Sequence, residues 1–170
     1  MKKITRQHAI EMFRNLGAFG YMDDVTLLAS LDNFDKFSKV QEDFQKLSEE
    51  LSKRLYEGKD EEQKKAFFEL VFKLEREKEI EKRIEIEKVM METYPDFHAL
   101  YIKQLRVLTQ MLYKQIEVDI TEVDKYAFIA AIVKGKKDAP VHEIVGLFAP
   151  MFKEEEARET DLSELDELLK

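Results

Sequence analysis

The chain has 170 residues, 38% charged and 44% apolar, with five Gly and three Pro, a balance that suits a helical domain and excludes a disordered chain. It has no Cys, which excludes disulfides, thiolate metal sites and a thiol nucleophile. The formal charge is -8, and residues 154–170 carry eight acids against Arg158 and Lys170, so the body before them is nearly neutral.

Thr5 stands where it can cap a first helix with Ala9, Ile10, Met12, Phe13 and Leu16 on one side, and Gly17 can take the left-handed stop. The YMDD at 21–24 matches a polymerase metal-binding signature, but helical patterns flank it on both sides. Asp23 or Asp24 is therefore expected to cap the next helix rather than hold metal. From Val25, the residues Leu27, Leu28, Leu31, Phe34, Phe37, Val40, Phe44, Leu47, Leu51 and Leu55 recur at steps of three and four. They predict one apolar stripe on a long helix closed by Gly58. Asp60 and Gln63 have capping-box spacing, and a helix carrying Phe67, Leu70, Val71 and Leu74 follows, so 24–74 reads as an antiparallel helical hairpin.

That stripe loses its phase over 75–89, where Ile80, Ile84 and Met91 lie about 100° round the cylinder. Either the helix turns to a new partner here, or IEIEKV at 84–89 becomes a short strand. Pairs such as Glu79 with Arg83 and Glu85 with Lys88 favour helix. Thr93 and Pro95 open a helix to about Lys114 whose buried face is expected at Leu100, Tyr101, Leu105, Leu108, Met111 and Leu112. IEVDIT at 116–121 alternates strictly and is the best strand candidate, with 84–89 as its partner if that segment is extended. Thr121 with Asp124 then has capping spacing for a helix bearing Val123, Tyr126, Ala127, Ala130 and Val133, stopped by Gly135. Asp138 and Pro140 start a last core helix with Val141, Ile144, Val145, Phe148 and Met151, which Pro150 should break. The fold class expected is mainly α: a helical hairpin or bundle over 1–153, with at most a two-stranded β element, and an acidic amphipathic tail helix over 154–170.

Within that tail Asp161 and Glu164 have capping spacing, and Leu162, Leu165, Leu168 and Leu169 fall on one helical face beside Glu164, Asp166 and Glu167. A helix this short is unstable alone in water, so it must lie on something. It either folds back on its own domain or docks in a groove of another protein or a second copy. In the second case the leucines anchor and the acids steer toward a basic rim. These seven residues are the candidate partner-binding site.

Chemistry has less support. His8, His98 and His142 lack the spacing of a zinc or di-iron site, and His8 with Glu11 is a lone HxxE. All-helical nucleotide pyrophosphohydrolases hold Mg²⁺ with ExxE pairs on core helices, whereas Glu156 with Glu159 and Glu164 with Glu167 lie in the tail. No serine sits in a glycine-rich elbow and no glycine loop cradles phosphate. No catalytic residue, metal or cofactor is expected. Lys134, Lys136 and Lys137 form a basic cluster too small for nucleic acid. No apolar stretch approaches the roughly 18 residues that cross a bilayer.

Three segments, ITRQHAIEMFRNLGAF, LASLDNFDKFSKVQEDFQKLSEELSKRL and IEVDITEVDKYAFIAAIV, resemble small helical proteins of unassigned activity from tailed phages. In those proteins a short capped helix leads into a long charged helix, and a brief alternating segment precedes a closing helix. The resemblance implies an accessory or assembly role and carries over no catalytic residue. The expectation is a non-enzymatic protein working through contacts with other proteins, as an assembly or accessory factor or an inhibitor of a host component. The alternative is a self-assembling virion subunit. The N-terminus MKKITRQHAIEMF has no secretory apolar run, so the expected location is cytoplasmic, or the virion if phage-encoded.

Overall fold

A computed structural model describes residues 1–16, 22–135 and 140–153. The described residues are mainly helical, with one small antiparallel sheet. In chain order they form β1 (Lys2–Thr5), α1 (Arg6–Leu16), α2 (Asp24–Tyr56), α3 (Glu61–Arg76), α4 (Ile80–Thr93), α5 (Pro95–Tyr113), β2 (Gln115–Val118), α6 (Lys125–Gly135) and α7 (Val141–Phe148). A 3₁₀ turn, Ala149–Met151, follows at the expected proline break. The acidic tail, the KKDA part of the loop before Pro140, and Gly17 lie outside the described residues.

The caps read from sequence form where the side-chain oxygen reaches a free amide of the first turn. Thr5 Oγ1 accepts from the His8 amide at 3.1 Å. Asp23 accepts from the Thr26 amide at 3.0 Å and its hydroxyl at 2.6 Å, so the YMDD carboxylate is a helix cap. Asp60 accepts from the Gln63 amide at 2.8 Å, after a turn in which Gly58 takes φ 71°. At α6 the cap is Asp124, which accepts from the Ala127 amide at 2.8 Å, and not Thr121. Thr121 is instead held from α2, as described below.

The sheet pairs β2 with β1, Ile4 opposite Ile116 and Lys2 opposite Val118, rather than with 84–89, which is helical. Its buried side chains are Ile4 and Val118. The sequence does not announce β1, because four residues ahead of a cap show too little alternation to register. The sheet also closes the end of α5: Arg6 donates its amide to Lys114 O at 3.1 Å and its guanidinium Nη1 to Met111 O at 2.8 Å.

Packing corrects the expected hairpin. Helix α2 packs along α1 and α5, while α3 packs on α4 and α4 on α5. Two apolar clusters result. The first gathers Ile4, Met12, Leu16, Phe37, Val118, Val123, Phe128, Ile132, Phe148 and Met151 from both strands and α1, α2, α6 and α7. The second gathers Tyr56, Phe67, Val71, Leu74, Met90 and Phe97 at the far end of α2. Between them α2 and α5 are the shared stem, where Phe44, Leu51, Leu108 and Met111 are only half-buried.

The stripe on α2 is corrected as well. Its buried residues at the first core are Thr26, Ser30, Asn33 and Phe37, whereas Leu27, Leu28 and Leu31 are exposed. Steps of three from Leu28 to Phe37 each turn the helix about 60° short of a full circle, so Leu28 ends opposite Phe37. Helix α6 likewise buries Phe128, Ala131 and Ile132 and exposes Tyr126 and Val133. Its sequence, KYAFIAAIVKG, is apolar on nearly every side, so periodicity does not choose a face.

Asn33 is fully buried and clamps the chain beyond β2: its Nδ2 donates to Thr121 O, and its Oδ1 accepts from the Thr121 amide, both at 2.7 Å. Asp32 accepts from the Thr121 hydroxyl and from Lys36 Nζ, the latter at 2.6 Å.

These bonds set a pH dependence. The Thr26 bonds hold the Asp23 carboxyl below its ordinary range, the Lys36 and Thr121 bonds do the same for Asp32, and the Glu79 and Lys78 amides for Glu77. Groups with depressed folded values contribute stability above their unfolded values near 4, and lose it as pH falls through the folded ones. Burial, reinforced by Tyr101, pushes the Tyr56 phenol from 10.0 to about 12. A raised group contributes below its unfolded value and loses that contribution as pH rises through the folded one. Urea midpoints are therefore expected to be flat from about pH 5 to 9, falling below about 4 and again between about 10 and 12. A midpoint that stays constant down to pH 2 would contradict the acid limb.

Candidate functional site

The break in phase after Leu74 is the end of a helix. The Glu77 amide bonds Lys73 O at 3.0 Å, and the Glu77 carboxylate takes the Lys78 and Glu79 amides at 2.8 and 2.9 Å. Arg83 Nη1 ties the corner by donating to Leu74 O at 2.8 Å and Glu77 O at 3.0 Å. The chain restarts as α4 in a new direction, and one side of α4, through Met90 and Ile86, enters the second core.

The other side meets nothing within the described chain. Ile80, Ile84 and Met91 fall within about 40° of one another on the helix and roughly 100–140° away from Met90 and Ile86. They are 74%, 61% and 54% exposed. A helix with apolar side chains on two faces and only one of them covered is the signature of an interaction surface. Among the described residues, nothing covers this face. Charged residues flank the stripe, with Glu81 and Lys88 on one edge and Arg83 and Glu87 on the other. Across the seam toward α5, Glu87 lies 3.8 Å from His98 Nε2.

A second open patch is formed by Val25, Leu28 and Leu31 near the start of α2, 78%, 68% and 53% exposed. It borders the stretch at 17–21 that is not described, so the α4 face is the better-bounded candidate.

The residues singled out from sequence for partner binding, Leu162, Leu165, Leu168, Leu169, Glu164, Asp166 and Glu167, lie outside the described residues. What is visible is the place from which that segment departs. Lys2, Lys3, Lys125 and Lys153 line a surface pocket beside Phe152, with Lys2 Nζ 3.1 Å from Phe152 O and 3.2 Å from Glu122.

Among the residues that could serve chemistry, His8 Nε2 donates to Leu147 O at 2.6 Å and so ties α1 to α7. Among the described residues no three His, Asp or Glu side chains gather as a metal site. No described helix is long and apolar enough to cross a membrane.

The α4 face was visible in the sequence as the phase shift of Ile80, Ile84 and Met91, although the shift alone could not say whether a partner inside the chain covers it. The Asn33 clamp carried no signal, since a lone asparagine in a charged helix reads as surface. Compared with known proteins, the chain matches no family model, no curated protein and no solved structure.

Proposed function

We propose that this protein acts by binding other proteins and performs no chemistry of its own, as an assembly or accessory factor of the tailed-phage type or as an inhibitor of a host component. The observation that carries this reading is the uncovered apolar face of α4, three large side chains held in register by a helix whose opposite side is fixed in a core. Rigid backing matters because a preformed face binds without first spending ordering entropy. The acidic tail is a second contact element in the proposal, its leucines anchoring and its acids adding long-range attraction to a basic partner.

Affinity capture from the native host tests this with three forms of the chain: wild type, Ile84→Asp, and a form ending at Lys153. A partner held by the wild type is expected to be lost from Ile84→Asp, by roughly 10-fold or more for a charge placed in an apolar contact. Recovery of the same partner in equal amounts by all three would overturn the reading.

A further inference from the structure

We infer that the pocket lined by Lys2, Lys3, Lys125 and Lys153 is occupied by this chain's own acidic run Glu154, Glu155 and Glu156, an electrostatic latch that fixes the root of the tail. The inference goes beyond the protein-binding reading and stands whether or not the tail's leucines meet a partner. The lysines come from β1, from the start of α6 and from the point where the described chain ends, and no described acid lines the pocket. Acids do stand at its margin. Lys2 Nζ reaches Glu122 at 3.2 Å and Phe152 O at 3.1 Å, so it is a tie between β1 and the chain's exit. Lys3 lies 3.8 Å from Glu117 with both side chains more than half exposed, a pair too long and too hydrated to hold that ammonium against a nearer carboxylate. Asp124, next to Lys125 in sequence, turns its carboxylate to the Ala127 amide instead.

The heading of the chain selects the occupant. Val123 donates its amide to Met151 O at 2.8 Å and accepts from the Lys153 amide at 3.2 Å, a parallel bridge that lays Phe152 beside Val123. Continued by one residue in that register, the chain brings Glu154 alongside Lys125. Consecutive Cα atoms are about 3.8 Å apart, so on any path the Cα atoms of all three glutamates stay within about 12 Å of that of Lys153. Tethering at this range gives the run a local concentration that no free anion matches, and surface pairs that are weak singly act together. Of the tail's eight acids the latch takes three. Glu159, Asp161, Glu164, Asp166 and Glu167 remain to attract a partner.

Backbone ¹⁵N relaxation of the full chain reads the latch. At about 0.02 M salt the amides of Glu154, Glu155 and Glu156 are expected to have order parameters of about 0.8, like those of the helices. At about 1 M, where the Debye length falls to about 3 Å, they should drop below about 0.6 while the helices keep theirs. Lys3→Glu with Lys125→Glu should produce the same loss at low salt. Adding Glu154→Lys, Glu155→Lys and Glu156→Lys to that variant should restore the order, because the reversed charges attract again. Lys3 is exposed, so Lys3→Glu alone and the salt series decide the matter if Lys125→Glu disturbs α6. Values below about 0.6 in the wild type at low salt overturn the latch, as do values that respond neither to salt nor to charge reversal. No partner takes part in the measurement, so its failure leaves the capture result with Ile84→Asp, and the protein-binding reading, untouched.

Discussion

Replacing Asn33 by alanine is expected to lower the melting temperature by roughly 5–10 °C, although the site lies on a long charged helix where sequence reading places a surface residue. The side chain makes the pair of hydrogen bonds that a neighbouring strand would make to Thr121, both at 2.7 Å and fully buried. Alanine leaves the Thr121 amide and carbonyl facing a void, at a cost of about 2–3 kcal/mol. The consequence reaches past one residue, because the chain held there runs from β2 into Val123 and Asp124, the buried anchor and the cap of α6. Asn33→Asp discriminates the two bonds. A carboxylate can still accept from the amide but opposes the carbonyl. This variant should be destabilised at neutral pH and partly recover, relative to wild type, as acid restores a donor. Burial raises the folded value of such a carboxyl, so its protonated form is favoured by folding and the deficit grows as pH rises through that value. Thermal melts at pH 4.5 and 7.5 check both claims; equal deficits at the two pH values would exclude the donor role.

Phe67→Ala is expected to cost about 3–5 kcal/mol and to act locally. The Phe67 ring is fully buried, with centroids of Phe68 and Phe97 at 5.7 Å, Tyr101 at 6.0 Å and Tyr94 at 6.2 Å. It is the centre of the second core, and α3 and α4 have no share in the first. Amide exchange should therefore accelerate across α3, α4 and the start of α5, while β1, β2 and α6 keep most of their protection. The same variant should abolish binding through Ile80, Ile84 and Met91, since that face exists only while α4 is seated on Met90 and Ile86. Uniform acceleration throughout the chain would mean that the stem couples the two cores into one cooperative unit.

Local signals were strong wherever the deciding interaction is short in sequence. Caps at Thr5, Asp23 and Asp60, the left-handed turn at Gly58, Pro95 opening α5 and the break at Pro150 all depend on groups within about four residues of one another. They could be read without knowing the fold. The alternation of 116–121 likewise announced β2, and ion-pair spacing favoured helix over strand for α4.

What a residue faces is a different matter. Leu28 and Phe37 are equally apolar, and a run of three- and four-residue steps links them, yet one is exposed and the other buried, because burial depends on where α1 and α5 lie against α2. Periodicity marks apolar residues and their angles but contains no statement of which neighbour arrives. For the same reason β2 found its partner in the first five residues, and α3 packs along α4 while meeting α2 at its far end, through Tyr56. The sequence by itself determined where helices start and stop, the shift of the apolar stripe after Leu74 and the absence of thiol chemistry. Only the tertiary structure decided that Asn33 is a clamp, that the described residues form two cores, and that none of them covers the shifted stripe of α4, because those outcomes depend on contacts between segments far apart in the chain.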